Sequence, residues 1–293
     1  MMNSLPGILV LLIWGLPLAA VASLILEVRN FGDTAIVGAI VFAPIVYCTL
    51  FMLVAGCLSR VSHRKIIPGR FPRENFHKIY FWRRVYGVCW TQVFYFKPIY
   101  AMLLAIPLLK KVLFKLFGYR GSSLSFTIYP DTWIRDLPVL DFGAGAYLSN
   151  RATLGTNMCL PDNSIFVDKI TVATKALLGH LGVLAPGCKL QKNADVGVSA
   201  TLGVRCRIQE NASVKPGALL NHGVVVGVGA EIGTRAYVGL RARIGNGVKV
   251  PAGACIPAGA IISSETDLFA VLSEEKKRIS DHLEDLKNAY SSL

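Results

Sequence analysis

Two histidines, one aspartate and three arginines carry most of the chemistry open to this sequence. His180 and His222 each stand two residues after an aliphatic side chain, Leu178 and Leu220. Attack by a hydroxyl or amine needs a group that takes its proton, and an oxyanion that forms in the attack needs donors that hold it. Imidazole suits the first task near neutral pH, and backbone N–H groups suit the second. Arg205, Arg241 and Arg243 add fixed planar cations of the kind that pairs with phosphate. Asp162 stands eighteen residues before His180. His63, His77 and His282 lie outside the pattern that positions the other two.

That pattern has a period of six. From Phe142, Leu148, Leu154, Leu160, Phe166, Val172 and Leu178 onward, every sixth residue to Ile262 is a large apolar one, without a phase break. Two residues before most of these anchors the side chain is small, as at Ala176, Cys188, Ala194 and Cys206, and one residue after many of them stands a glycine, as at Gly179, Gly197 and Gly203. A helix needs anchors at 3.6 spacing and an alternating strand a period of two, so a sustained period of six points to a parallel β-helix. Each hexad is a short strand plus a corner, and three hexads close one coil. Residues eighteen apart therefore stack, and at roughly 4.8 Å per strand about seven coils make a prism roughly 33 Å tall.

Stacking assigns neighbours to the candidate side chains. Asp162 falls directly beneath His180, where a carboxylate would orient the ring. His222 has Val204 and Leu240 as vertical neighbours, with Arg205 and Arg241 one residue along in the coils below and above, and Arg243 nearby. Cys188 and Cys206, also eighteen apart, are expected to stack inside as packing residues, and none of the seven cysteines has metal-site spacing.

The hexad pattern resembles that of the hexapeptide-repeat acyltransferases. The segment from Leu220 through Asn221 and His222 to Val226 and Gly227 looks like their aliphatic-x-His-x-x-x-aliphatic-Gly pattern, and His180 shares the spacing. The resemblance implies left-handed coiling, a homotrimer that binds acyl-CoA between neighbouring prisms, acetyl-CoA or another acyl-CoA as co-substrate, and a histidine general base at the position of His222 or His180. It implies no metal: carbonic anhydrases of this fold need three zinc-binding histidines, and two on different faces do not supply a site.

The chain ahead of the repeat belongs to a different solvent. The whole sequence has 293 residues, 53% of them hydrophobic, and a mean hydropathy of +0.49. Residues 7–26 and 34–58 are two uncharged runs separated by a polar loop at 27–33, each long enough to cross about 30 Å of hydrocarbon. A cleaved signal peptide fits less well, since no basic stretch precedes the first run and a second follows at once. Arg60, Arg64, Lys65, Arg70, Arg73, Lys78, Arg83 and Arg84 then face a single acid, Glu74. The positive-inside rule puts this loop and all that follows in the cytoplasm, in a chain read as a multi-pass protein of a bacterial inner membrane. The net charge of +13 thus tracks the membrane boundary and argues for anionic lipid rather than nucleic acid. Residues 106–117 read as an amphipathic helix in the interface, and Lys97 argues against a third span over 85–109. After Ile262, Thr266 and Asp267 could cap a helix over about 268–290, with Leu268, Val271, Leu272, Ile279, Leu283 and Leu286 on one stripe.

From Arg60 to Asn157 the sequence also resembles the membrane-embedded terminal region of poly-lysine-type peptide synthetases. Gly69-Arg70-Phe71, Phe81-Trp82-Arg83-Arg84, Ile106-Pro107-Leu108-Leu109, Leu116-Phe117-Gly118, and Asp136-Leu137 to Asp141-Phe142-Gly143 carry the likeness. Asn157 stands where that family's histidine would align.

The sequence therefore predicts an all-β left-handed parallel β-helix over 121–263, preceded by a transmembrane helical hairpin over 1–59 and a basic, interfacial segment over 60–120. A C-terminal helix over 264–293 follows. The expected activity is acyl transfer from a CoA thioester to a membrane-associated or peptide-like acceptor. The competing expectation is a non-catalytic trimeric scaffold, to which Asn157 lends support.

Overall fold

The computed structural model describes residues 5–291, without the side chains of residue 286 and residues 288–291. The chain divides into two compact units. One holds the residues up to Leu124 together with Ile134–Leu140 and Asn157–Asp168; the other holds Ser125–Trp133, Asp141–Thr156 and the chain from Lys169 onward.

The first unit is helical. The uncharged runs form α1 (Leu5–Val28) and α2 (Asp33–His63), both long and apolar enough to cross a membrane. Three shorter helices follow: α3 (Lys78–Tyr95), α4 (Lys97–Ala105) and α5 (Pro107–Leu116). Pro98 and Pro107 set the breaks, since each occupies the first turn of the next helix, where its missing N–H costs nothing. Residues 85–109 are thus not one span, and Lys97 Nζ lies 3.7 Å over the Phe94 ring. The interior is aromatic. Trp90 meets Phe117 edge-on at 5.1 Å and Tyr100 at 5.9 Å. Its indole N–H donates to Ile134 O at 2.8 Å, while the Tyr86 hydroxyl donates to Phe117 O and accepts from Leu137 N–H.

The second unit is a parallel β-solenoid closed by α6 (Glu265–Ser291). Its short strands stack into three sheets of seven, six and seven strands. The first face includes Leu177–Leu178 and Asp195–Val196, the second Thr201–Leu202 and Leu219–Leu220, the third Arg207–Ile208 and Val225–Val226. Each hexad supplies one strand. Its second residue, the anchor, is buried inside, as Leu178, Leu202, Leu220 and Val226 are. Cys188 and Cys206 fill small inward positions one coil apart, both fully buried, and burial pushes the Cys188 thiol far up. At α6, Ser264 rather than Thr266 is the cap: its hydroxyl accepts from Asp267 N–H, and Asp267 accepts from Ser263 and Ser264 N–H in return. Of the expected stripe, Leu268 is buried while Ile279 and Leu283 are exposed; Leu286 lies outside the described side chains.

The repeat does break, contrary to the unbroken reading of the sequence. Above Ile170 the eighteen-residue stack holds, with Lys189 paired to Arg207 and Arg207 to Val225. Below it, Tyr147 pairs with Leu177 and Thr153 with Val183, a spacing of thirty. The chain leaves the coil after Thr156 and returns at Lys169. The excursion forms an antiparallel hairpin, Asn157–Cys159 with Ser164–Val167, extended by Gly69–Pro72. Leu160 and Phe166, expected as interior anchors, are only half-buried.

Candidate functional site

His222, Arg205 and Arg241 share one edge of the solenoid, the corner where the chain turns from the second face to the third. His222 is exposed on this corner and sits over Val204, whose N–H donates to its Nδ1 at 2.9 Å. In the neutral ring the proton therefore sits on Nε2. Gly203 makes this stacking possible: a Cβ there would fall 2.6 Å from His222 Nδ1 and 2.8 Å from the backbone of Asn221 and His222. The glycine that follows many of the anchors thus reflects the closeness of the next coil.

Arg241 N–H donates to His222 O at 2.9 Å, and its side chain runs over Gly223, whose added Cβ would meet Arg241 Cγ at 3.3 Å. Arg205 occupies the equivalent place one coil below Gly223. Both arginines are exposed and adopt left-handed backbone, φ 57° and 56°, where Gly223 has φ 73°. An L side chain costs about 1 kcal/mol in this region, so the corner carries arginines at positions that backbone geometry would give to glycine. Arg243 opens the third-face strand Arg243–Ile244 and is also exposed. Val204, Arg205 and Arg241 stand where eighteen-residue stacking puts them relative to His222; which nitrogen faces outward was not legible.

His180 lies on a different corner, between the first and second faces. Asp162 is not beneath it. The stacked position below His180 belongs to Asn150, whose carbonyl accepts from Leu181 N–H. Asp162 instead sits at the hairpin turn, where the hydroxyl and N–H of Ser164 donate to one carboxylate oxygen and Arg70 pairs with the other. The Ser164 hydroxyl first, and Arg70 second, hold this carboxyl below the usual range. The twelve inserted residues equal two hexads, so they move Asp162 out of the stack without disturbing the period.

A further polar cluster escaped the sequence reading. Arg83 of α3 and Asp136 form a buried ion pair, and Asn157 Nδ2 donates to Asp136 at 3.4 Å. Asn157, aligned above with a family histidine, thus belongs to the helical unit. Met158 and Pro161 depart from the small residue and the glycine that flank many anchors, but Val248 and Pro251 depart in the same way where the stack continues, so residue type did not mark the excursion.

No protein-family model matches the chain, and no curated protein sequence matches it. Among solved structures, the acetyltransferase domain of PglB from Neisseria gonorrhoeae in complex with acetyl coenzyme A is 22% identical, over 46% of this chain and 55% of that one, with a TM-score of 0.24. A Bacillus cereus protein described as an acetyltransferase is 14% identical over 53% and 99%, TM-score 0.28. A mutant of perosamine N-acetyltransferase from Caulobacter crescentus, in complex with CoA and GDP-perosamine, is 16% identical over 52% and 63%, TM-score 0.20. The chain spans a little over half the length of the PglB structure. What these proteins bind is a property of theirs.

Proposed function

We propose that this chain is a membrane-anchored acyltransferase that moves an acyl group, acetyl in the first instance, from a CoA thioester to a hydroxyl or amine acceptor. The observation that carries the reading is the stack at one corner: an exposed histidine, held by a backbone bond to Nδ1, with an arginine one coil below and another one coil above. In the reaction the acceptor's oxygen or nitrogen bonds to the thioester carbon, the C–S bond breaks, and the acceptor's proton leaves with the CoA thiol as the balancing product. Arg205 and Arg241, with Arg243 beside them, would hold phosphates of CoA.

The Val204 bond refines the role of His222. A general base needs a free lone pair facing the acceptor, and the lone pair of Nδ1 is taken. Nε2–H is instead ready to donate to the thioester oxygen as negative charge develops there. His180 stays a candidate base, and because one chain carries the two rings on different corners, a centre that uses both draws on a second copy.

A homotrimer fits that requirement. The outward residues of the second face, Thr153, Val183, Thr201, Leu219, Tyr237 and Cys255, carry no charge, whereas the other two faces present Asp195, Glu231, Lys189, Arg207 and Arg243. The anchor is α1 and α2 in a bacterial inner membrane, with the solenoid on the cytoplasmic side.

The test is thermal stability of the detergent-purified protein with CoA and acetyl-CoA, beside Arg241→Gly. Glycine relieves the left-handed backbone by about 1 kcal/mol and removes the charge. The variant should melt no lower than the parent, while its CoA affinity falls about tenfold to a hundredfold for a lost charge-assisted bond. Ligand at about a hundred times its dissociation constant adds about 2.7 kcal/mol to the parent. No stabilisation at millimolar CoA would turn the reading toward the scaffold.

A further inference from the structure

α2 ends in charge. Arg60 is exposed on its last turn and Arg64 just past it, and His63 between them lies against the chain just after α5, where a Cβ on Gly118 would come 3.0 Å from its ring. Arg120 lies within electrostatic reach of the same ring. A charged side chain at mid-bilayer is costly, so where α2 crosses a membrane this end sits at headgroup depth. The chain around Gly118 that packs on His63 shares that level.

Beside it, the helical unit has a recess of about 230 Å³ lined by Lys111, Lys115, Tyr119, Ser122 and Ser123, with Phe114 and Leu124. Lys111 and Lys115 are both exposed and stand one turn apart on α5. A like-charged pair at this spacing disfavours an isolated helix, a cost that a bound anion reverses. No carboxylate is among the described residues lining the recess. The carbonyl end of α5 also lies here and repels anions, so the ammonium groups, rather than backbone, must supply the attraction.

We propose that this recess holds the phosphate of a lipid headgroup of the phosphomonoester class, with Lys111 and Lys115 paired to its oxygens and the Ser122 and Ser123 hydroxyls donating to it. The proposal depends on α2 crossing the bilayer and is independent of acyl transfer. A lipid is favoured over a soluble phosphate because the recess lies level with the charged end of an apolar helix.

Binding of dioctanoyl phosphatidic acid to the full chain in detergent tests it, with dioctanoyl phosphatidylcholine and inorganic phosphate as competitors. One equivalent of phosphatidic acid should bind, phosphatidylcholine should not compete, and inorganic phosphate should compete only weakly. Lys111→Gln with Lys115→Gln should weaken binding about thirtyfold at low salt, while Lys189→Gln with Arg207→Gln, the same charge loss on the solenoid, should leave it unchanged. Equal weakening by both pairs, unchanged binding in the Lys111/Lys115 variant, or inorganic phosphate binding as tightly as the lipid would each overturn the assignment. Should the double variant fail to fold, Ser122→Glu places a repelling charge at the exposed rim and must weaken binding likewise; unchanged affinity there also overturns it.

Discussion

At the scale of the residue, the discriminating atom is Nδ1 of His222. A ring whose Nδ1 accepts from Val204 N–H at 2.9 Å presents a donor, not a base, at Nε2. Glutamine can keep a donor and cannot act as a base near neutrality. His222→Ala should therefore lower kcat by about two to three orders of magnitude, and His222→Gln should recover at least about a tenth of the parent's rate if donation is the task. Steady-state kinetics of both variants decide the matter: glutamine as inactive as alanine would return the base role to the ring. The position of His222 was legible because hexad phase and eighteen-residue stacking are set by sequence spacing. Its hydrogen bond was not, because it depends on how closely Gly203 lets the next coil approach.

At the scale of the element, the hairpin shows where periodicity misleads. An insertion of two hexads preserves every anchor interval, so Leu160 and Phe166 satisfy the count while standing outside the core, and Asp162 satisfies the stack while pairing with Arg70. Residue type does not mark the break either, since Val248 and Pro251 depart from the pattern as Met158 and Pro161 do, within an unbroken stack. The Asp162 carboxyl is held below its ordinary value, so it favours the folded hairpin when ionised. That contribution is full above the unfolded value, about 3.9, and is lost as pH falls through the lower folded one. Half exposure makes it small. Asp162→Asn should speed hydrogen exchange of the hairpin amides, including Arg73 N–H, which donates to Asn163 O at 3.0 Å. The ratio of variant to parent rates should shrink toward one as pH is lowered below about 4. A ratio independent of pH would mean that the Asp162 charge does not hold the turn.

At the scale of the whole molecule, two surfaces make separate demands. The uncharged second face predicts association: in detergent the protein should have three times its 31.8 kDa chain mass by light scattering after subtraction of detergent. Leu219→Asp, which puts a charge on that face, should shift the mass toward a single chain. An unchanged trimer would place the interface elsewhere. The apolar helices predict topology. If α1 and α2 cross as a hairpin, Phe31, 79% exposed between them, and Lys65, just past α2, face opposite compartments. Cationic side chains cluster after α2, so the positive-inside rule leads to the expectation that Lys65 faces the cytoplasm. With the exposed cysteines Cys57 and Cys159 replaced by serine, Phe31→Cys should react with a membrane-impermeant maleimide in intact right-side-out vesicles. Lys65→Cys should react only in inverted ones. Reaction of both from one side would mean that the pair lies on the membrane rather than across it, and the phosphate recess at the end of α2 would lose the depth on which it depends.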